Sequence, residues 1–314
     1  MAKKVFVTGV AGFIGGSIAE RFVRAGYEVS GLTRQNDNVA KLKAIGVEAV
    51  VGDLSDRKLL TQEAVRADIV IDAADSDNNE AVQTLLDALA GTNKVFIHTS
   101  GSSIVSDRAG GKKGDSIYDE SIYDAASEQG RAFKPDAGKQ SRVNLDKLIL
   151  QAAEKNIRTA VICPCLIYGR GRGIKPESQQ IPAIAAEALA SGTSKYIGAG
   201  ENLWSTVHID DLADLYLLVA ENLEGGGHFY FAENGETNFK DLAASIADTL
   251  GQKAPESWTS EAASKVYGEG AAVYAHGANS RIRGVKSRAL GWKPSHANVL
   301  DDAARTAKHL AGQS

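Results

Sequence analysis

Three glycines at even spacing, Gly9, Gly12 and Gly15, break the apolar run "VFVTGVAGFIGGSIAERF". Before them, residues 5–7 form a short apolar stretch bounded by Lys4, which reads as a buried strand. After them, Ile14, Ile18 and Phe22 recur every fourth residue with Ala19 and Val23 beside them. That is the spacing of one helix face, and Gly26 marks its end. A strand passing through a glycine turn straight into a helix points to an α/β unit. The turn also has a chemical reading. The first glycine permits a tight bend, the second lets backbone approach a pyrophosphate, and the third lets the helix pack closely on the sheet. The helix start then offers free N–H groups to the anion. Gly9, Gly12, Phe13, Ile14 and Gly15 are therefore expected to bind a dinucleotide.

The same alternation continues along the chain. Strands are predicted at residues 28–32, 47–51, 69–71, 95–99 and 159–163, with helices at 39–44, 59–65 and 81–90 and from about Gln140. Strands alternating with helices require crossover connections, so the fold class is α/β with a Rossmann-type doubly wound parallel sheet. Residues 107–138 interrupt this order. They are polar, glycine-rich and aperiodic, and longer than an ordinary connection, which suggests a flap, an active-site loop or a disordered excursion. Beyond Leu166 the texture changes. Helices are predicted at 181–189, 239–250, 260–267 and 299–310, and "WSTVHIDDLADLYLLVAENL" and "GHFYFAE" each supply a further strand. The expected organisation is a dinucleotide-binding domain over 1–168, completed by about 204–232. A smaller C-terminal substrate-binding region, a lid, covers 169–203 and 233–314.

Composition narrows the function. The formal net charge is -4, and no basic stripe marks a nucleic-acid partner. No apolar run approaches the length of a membrane span. The opening "MAKKVFVTGV" reads as a first strand and not as a secretory segment. The two cysteines, Cys163 and Cys165, sit on an apolar run and fit buried thiols in a reducing compartment better than a disulfide or a metal pair. These features lead to the expectation of a cytoplasmic protein with a small-molecule substrate and no metal. A homodimer through the sheet-flanking helices is compatible with the pattern.

Cofactor choice is read from the end of the second strand. Thr33 and Arg34 stand where a binder of NAD usually places an acid for the ribose hydroxyls. An arginine fork meets an extra phosphate, whereas an acid repels it. NADP(H) is accordingly the expected cofactor, with NAD(H) the alternative if Arg34 is only a solvated surface residue. Asp53 and Leu54, after the third strand, are expected beside the adenine. An Asx turn or helix cap explains Asp53 equally well. Ala73 and Ala74, after the fourth strand, are small enough to let a cofactor lie against the backbone.

Taken with "GDL", "HTSGSS", "CPCLIYGRG", "VHIDDLADLY" and "LGWKP" in that order, these residues resemble the extended, epimerase/dehydratase-like branch of the short-chain dehydrogenase/reductase superfamily. The resemblance covers nearly the whole chain. It implies hydride transfer, sometimes within epimerisation or dehydration, and a small C-terminal domain closing over substrate. It also implies a serine or threonine, a tyrosine as acid/base, and a lysine four residues later that lowers the tyrosine pKa. Here the chain departs from the pattern. Counting back from Asp146 and Lys147 places Gly138 at the tyrosine and Arg142 at the lysine. In this respect it looks like an atypical subgroup.

Arg142 is expected to hold a ribose or phosphate, but its pKa is too high for a proton shuttle. The family hydroxyl falls nearest Gly101, leaving Ser100 and Ser102 on either side as candidate catalysts. Tyr168, in the segment beginning at Pro164 that lines nicotinamide and substrate in the family, is a third candidate. Tyr118, Tyr123 and His208 have blander structural explanations. Three functional readings follow. The first is an NADPH-dependent reductase of a small apolar or aromatic carbonyl compound, oriented by Trp204. The second is a nucleotide-binding regulator or scaffold without catalysis. The third is an epimerase or isomerase with a tightly bound nicotinamide cofactor.

Overall fold

The computed structural model describes residues 2–312. Five strands, β1 (Lys4–Thr8), β2 (Glu28–Thr33), β3 (Val47–Val51), β4 (Ile69–Asp72) and β5 (Val95–Thr99), join Arg158–Pro164 and His228–Ala232 in one seven-stranded sheet. From one edge the order is His228–Ala232, Arg158–Pro164, β5, β4, β1, β2, β3. Every adjacent pair is parallel. Val5 lies beside Val29 on one side and Ile69 on the other. The strand order therefore reverses between β1 and β4, and a crevice opens above their carboxyl ends. β4 and β5 are buried along their whole length, as expected of central parallel strands covered on both faces. Helix α1 (Phe13–Arg24) packs against Ile209–Asn222, while Arg57–Arg66 packs against Asn79–Leu89. This is the doubly wound arrangement that the alternation predicts.

A second layer is built after the sixth strand of the main sheet. Leu166–Tyr168 runs parallel to Leu203–His208, which pairs antiparallel with Glu236–Asn238. Helices Gln180–Ser191, Phe239–Thr249 and Val299–Leu310 pack together beside it. Their core includes Tyr168, Ile181, Trp204, Phe239 and Leu242, separate from the main-sheet core. The strand Leu166–Tyr168 is absent from the sequence reading because three residues after a proline carry no measurable alternation.

The polar segment 107–138 is tied down by its own polar groups. Tyr118–Asp119 pairs with Ile282–Arg283. Asn279 donates from its backbone and side chain to Asp107, each at 2.8 Å. The buried Glu120 carboxylate accepts from the backbone N–H groups of Phe231, Val285 and Lys286 at 3.1–3.2 Å. Burial raises the Glu120 pKa, and these donors partly oppose the shift. The segment is thus a strap between the sheet edge and the C-terminal residues.

Candidate active site

The glycine loop leaves no room for side chains. Gly9 has φ +69°, and a β-carbon there would lie 2.6 Å from the Ala73 carbonyl oxygen. A β-carbon on Gly15 would collide with the Gly9 carbonyl, and one on Gly12 would lie 3.2 Å from it. The turn is closed by Gly12 N–H donating to Gly9 O at 2.8 Å. No side chain caps α1 and no acid stands in its first turn, so its leading N–H groups stay available to an anion. Gly12, Phe13, Ile14, Gly15, Ala73 and Ala74 line a cavity of about 410 Å³ that extends to Ser100, Gln179 and Gln180. Thr8 anchors its floor. Its hydroxyl donates to Asp72 at 2.6 Å and accepts from Ala73 N–H at 3.1 Å.

The residues expected at the adenine end lie outside that lining. Arg34 and Asp53 are exposed, and Leu54 is half-buried against the main core. The Asp53 carboxylate accepts from Ser55 N–H at 2.7 Å and from its hydroxyl at 2.5 Å, an Asx turn. The Ser55 hydroxyl is the chief cause holding the Asp53 carboxyl below its usual range, and Arg34 adds a smaller share.

At the far end of the crevice the helix Gln140–Gln151 carries Arg142 inward. Arg142 Nε donates to Asp77 Oδ1 at 2.9 Å and Nη1 to the Ser103 hydroxyl at 3.2 Å. Nη1 also lies 3.2 Å from the place of a β-carbon on Gly101. At Gly101 and Gly138, the positions that the resemblance assigns to the family hydroxyl and tyrosine, other side chains crowd the backbone. Arg142 approaches the first. Tyr274 approaches the second, its hydroxyl donating to Asp136 at 2.8 Å. Arg108 clamps the same carboxylate at 2.7 and 2.9 Å and holds its pKa far below the usual range. Lys139 places its ammonium 4.5 Å from the centre of the Tyr274 ring.

Ser100 follows β5 and is nearly buried, yet it lines the crevice. Its hydroxyl donates to Asp146 at 3.0 Å, and the Tyr123 hydroxyl donates to the same oxygen at 2.6 Å. Burial pushes the Asp146 carboxyl up to about 6, opposed by His98, Tyr123 and Ser100. The other Asp146 oxygen and His98 Nε2 are buried without a hydrogen-bond partner. His98 Nδ1 meets Asp72 at 2.8 Å, and Asp72 in turn accepts from Thr8, a polar chain separate from that of Asp146.

The remaining sequence candidates separate. Ser102 and Pro164 line an adjoining cavity of about 600 Å³, together with Ser100, Lys139, Arg142 and Trp204. The Ser102 hydroxyl accepts from Ser280 at 2.8 Å. Tyr168 sits in the second core, edge-on to His208 at 5.2 Å, and lines neither cavity. Burial raises its pKa. His208 caps the next helix by accepting from Asp210 N–H at 3.1 Å and stacks on His296 at 3.9 Å. Although His208, Asp210 and His296 cluster, Arg172 occupies the Asp210 carboxylate at 2.7 Å, and stacked rings aim their nitrogens side by side. Tyr118 meets Phe133 edge-on, and Trp204 donates to Ala278 O at 2.8 Å.

Sequence reasoning missed Tyr274 and Asp77. It used Asp146 only as a counting mark and set Lys139 aside. The apolar residues around Asp146 were the available signal, since an acid on the inner face of a helix requires a partner.

The model of the NAD dependent epimerase/dehydratase family matches residues 5–231, and the chain belongs to this family. It is 30% identical to an oxidase, ucsJ, of an Acremonium species over 94% of this chain and 93% of that one. It is 22% identical to a 4-hydroxy-2-methyl-3-oxo-4-farnesyl-3,4-dihydroquinoline-1-oxide ketoreductase of Stigmatella aurantiaca, over 80% of this chain and 74% of the relative. The dTDP-glucose 4,6-dehydratase of Bacillus anthracis in complex with NAD shares the fold with a TM-score of 0.75 and 17% identity, covering 100% of this chain and 98% of that one. Catalytic activity of the oxidoreductase or epimerase kind accords with the fold and with the relatives named for a reaction.

These findings correct the expected preference for NADP(H). The similar structures whose descriptions name a nicotinamide cofactor name NAD. Arg34, the residue expected to meet the added phosphate, is exposed and lies outside the cavity lined by the glycine loop. The comparisons carry the activity only as far as the oxidoreductase or epimerase/dehydratase kind, and they do not support the finer expectation of an apolar or aromatic carbonyl substrate.

Proposed function

We propose that this chain is an NAD(H)-dependent enzyme of the epimerase/dehydratase type. It moves hydride to and from a carbinol or carbonyl carbon of a small molecule held beneath residues 169–203 and 233–312. The tight glycine cradle and the uncapped start of α1 fit a dinucleotide pyrophosphate, with Ala73 and Ala74 beneath it. Arg142, fixed by Asp77 and Ser103, would hold the nicotinamide-side ribose. Bound there, NAD supplies the hydride chemistry.

The observation that carries the reading is Ser100. It is the hydroxyl common to the nucleotide crevice and the adjoining cavity, and it is hydrogen-bonded to a buried carboxyl. Ser100 Oγ–H donates to the substrate oxygen as negative charge grows there. A serine alone is too weak an acid to give up its proton. Protonated Asp146, whose pKa is about 6, reverses that hydrogen bond, donates to Ser100 Oγ and replaces the proton, and it receives it back when the carbinol is oxidised. This relay stands in for the tyrosine absent at Gly138.

Fluorescence titration of the purified protein with NADH tests the cofactor, and turnover of hydroxy and oxo compounds tests the chemistry. Ser100→Ala is expected to keep NADH affinity and lose roughly 10²- to 10⁴-fold in turnover, the usual weight of a positioned proton donor. Wild-type turnover in that variant would rule Ser100 out. A net ketone reductase is the second reading, favoured by the apolar Ile14, Ile167 and Trp204 in the adjoining cavity. Net oxidation of NADH identifies it, whereas isomerisation leaves the cofactor unchanged.

A further inference from the structure

The adjoining cavity combines apolar walls with an unbalanced positive charge. Ile14, Ile167, Trp204 and Val266 contribute apolar surface, and Lys139 and Arg142 are the charged liners. The lining includes His276, but burial lowers its pKa to about 4, so it is neutral near pH 7. No carboxylate is part of the lining among the described residues.

The two cations differ in their partners. Arg142 is paired with Asp77. Arg108, nearby, is paired with Asp136. Lys139 makes no ion pair among the described residues, and its ammonium rests over the Tyr274 ring. Loss of water around it, and then repulsion from Arg142, depress its pKa. Asp77 and Asp136 act on it only from beyond the cavity lining. A half-buried ammonium in this condition is stabilised by an anion entering the cavity.

We propose that the substrate is an oxo or hydroxy acid with an apolar chain, and that Lys139 binds its carboxylate while the carbon exchanging hydride lies toward Ser100. This deepens the hydride-transfer reading and rests on it. The apolar surface of Ile14, Ile167, Trp204 and Val266 gives a fatty chain a place to lie beside that carboxylate.

Calorimetric titration of the full chain, with and without NADH, decides the matter. The probes are octanoate, octanamide and uridine diphosphate. Octanoate is expected to bind about tenfold or more tighter than octanamide, the usual worth of a charge-assisted hydrogen bond. Lys139→Met is expected to erase that advantage and Lys139→Arg to keep most of it. Thermal melts of both variants confirm that they fold. Equal binding of octanoate and octanamide would overturn the proposal, as would an octanoate affinity indifferent to Lys139→Met. Lys139-dependent binding of uridine diphosphate without octanoate binding would assign the cation to a nucleotide instead, and no binding of any probe would also refute it. If octanoate binds through Lys139 while NADH does not bind at all, carboxylate recognition stands and the hydride-transfer reading falls.

Discussion

The hydroxyl of Tyr274 stands 2.8 Å from the place where a β-carbon on Gly138 would lie. Glycine at 138 and tyrosine at 274 are therefore fitted to each other, and the Arg108–Asp136 pair keeps the phenol from swinging aside. Gly138→Ala is expected to destabilise the fold by about 1 kcal/mol, typical of mild overpacking against a tethered side chain. In a Tyr274→Phe background, which removes the hydroxyl, the same change should cost less. Denaturant melts of the four proteins in this cycle measure the coupling. Additive effects would mean that the two sites are independent.

Gly15→Ala brings backbone against backbone. Its new methyl group would meet the Gly9 carbonyl, and neither can rotate away. NADH affinity should fall by roughly 100-fold or more, with a loss of stability of about 1–3 kcal/mol from overpacking. Fluorescence titration and melting of the purified variant check both. Unchanged NADH binding would show that the loop does not hold the cofactor.

Arg34 is a milder case. It is exposed, and its guanidinium is only the smallest of the influences lowering the Asp53 carboxyl. Arg34→Ala is expected to change NADH affinity by no more than about threefold, the scale of an exposed ion pair. A tenfold loss would place the guanidinium on the cofactor.

Asp146 gives the molecule a pH dependence with a definite sign. Its folded pKa, about 6, lies above the ordinary value of 3.8, so the folded state holds a proton that the unfolded chain releases. The stability from this group is fully present below about 3.8 and is lost as pH rises through about 6. Asp146→Asn should flatten that part of the stability curve. It should also remove an inflection near pH 6 from turnover while leaving NADH binding intact. An unaltered turnover profile in the asparagine variant would exclude Asp146 from proton supply.

The sheet was legible because each strand and helix carries its own period, and the glycine loop because its steric demands are local. The 107–138 strap was legible only as a loop, since its order comes from partners such as Asn279 and Val285, far along the chain. The crevice depends on the same kind of distant pairing. Tyr274 reaches Asp136 across 138 positions of sequence, and no spacing rule connects them. Arg34 misled for a related reason. A residue's place after a strand says where its side chain begins, not whether it reaches the cavity.

One edge strand of the seven-stranded sheet, His228–Ala232, has a bearing on biosynthesis. It covers Arg158–Pro164 with Phe229 and Phe231, both buried. While the ribosome is still making the residues between these two strands, the other six strands leave Arg158–Pro164 at an edge with a bare row of amides and an apolar flank. That interval is when strand-to-strand association between nascent copies threatens most, and it closes once residue 232 has cleared the exit tunnel.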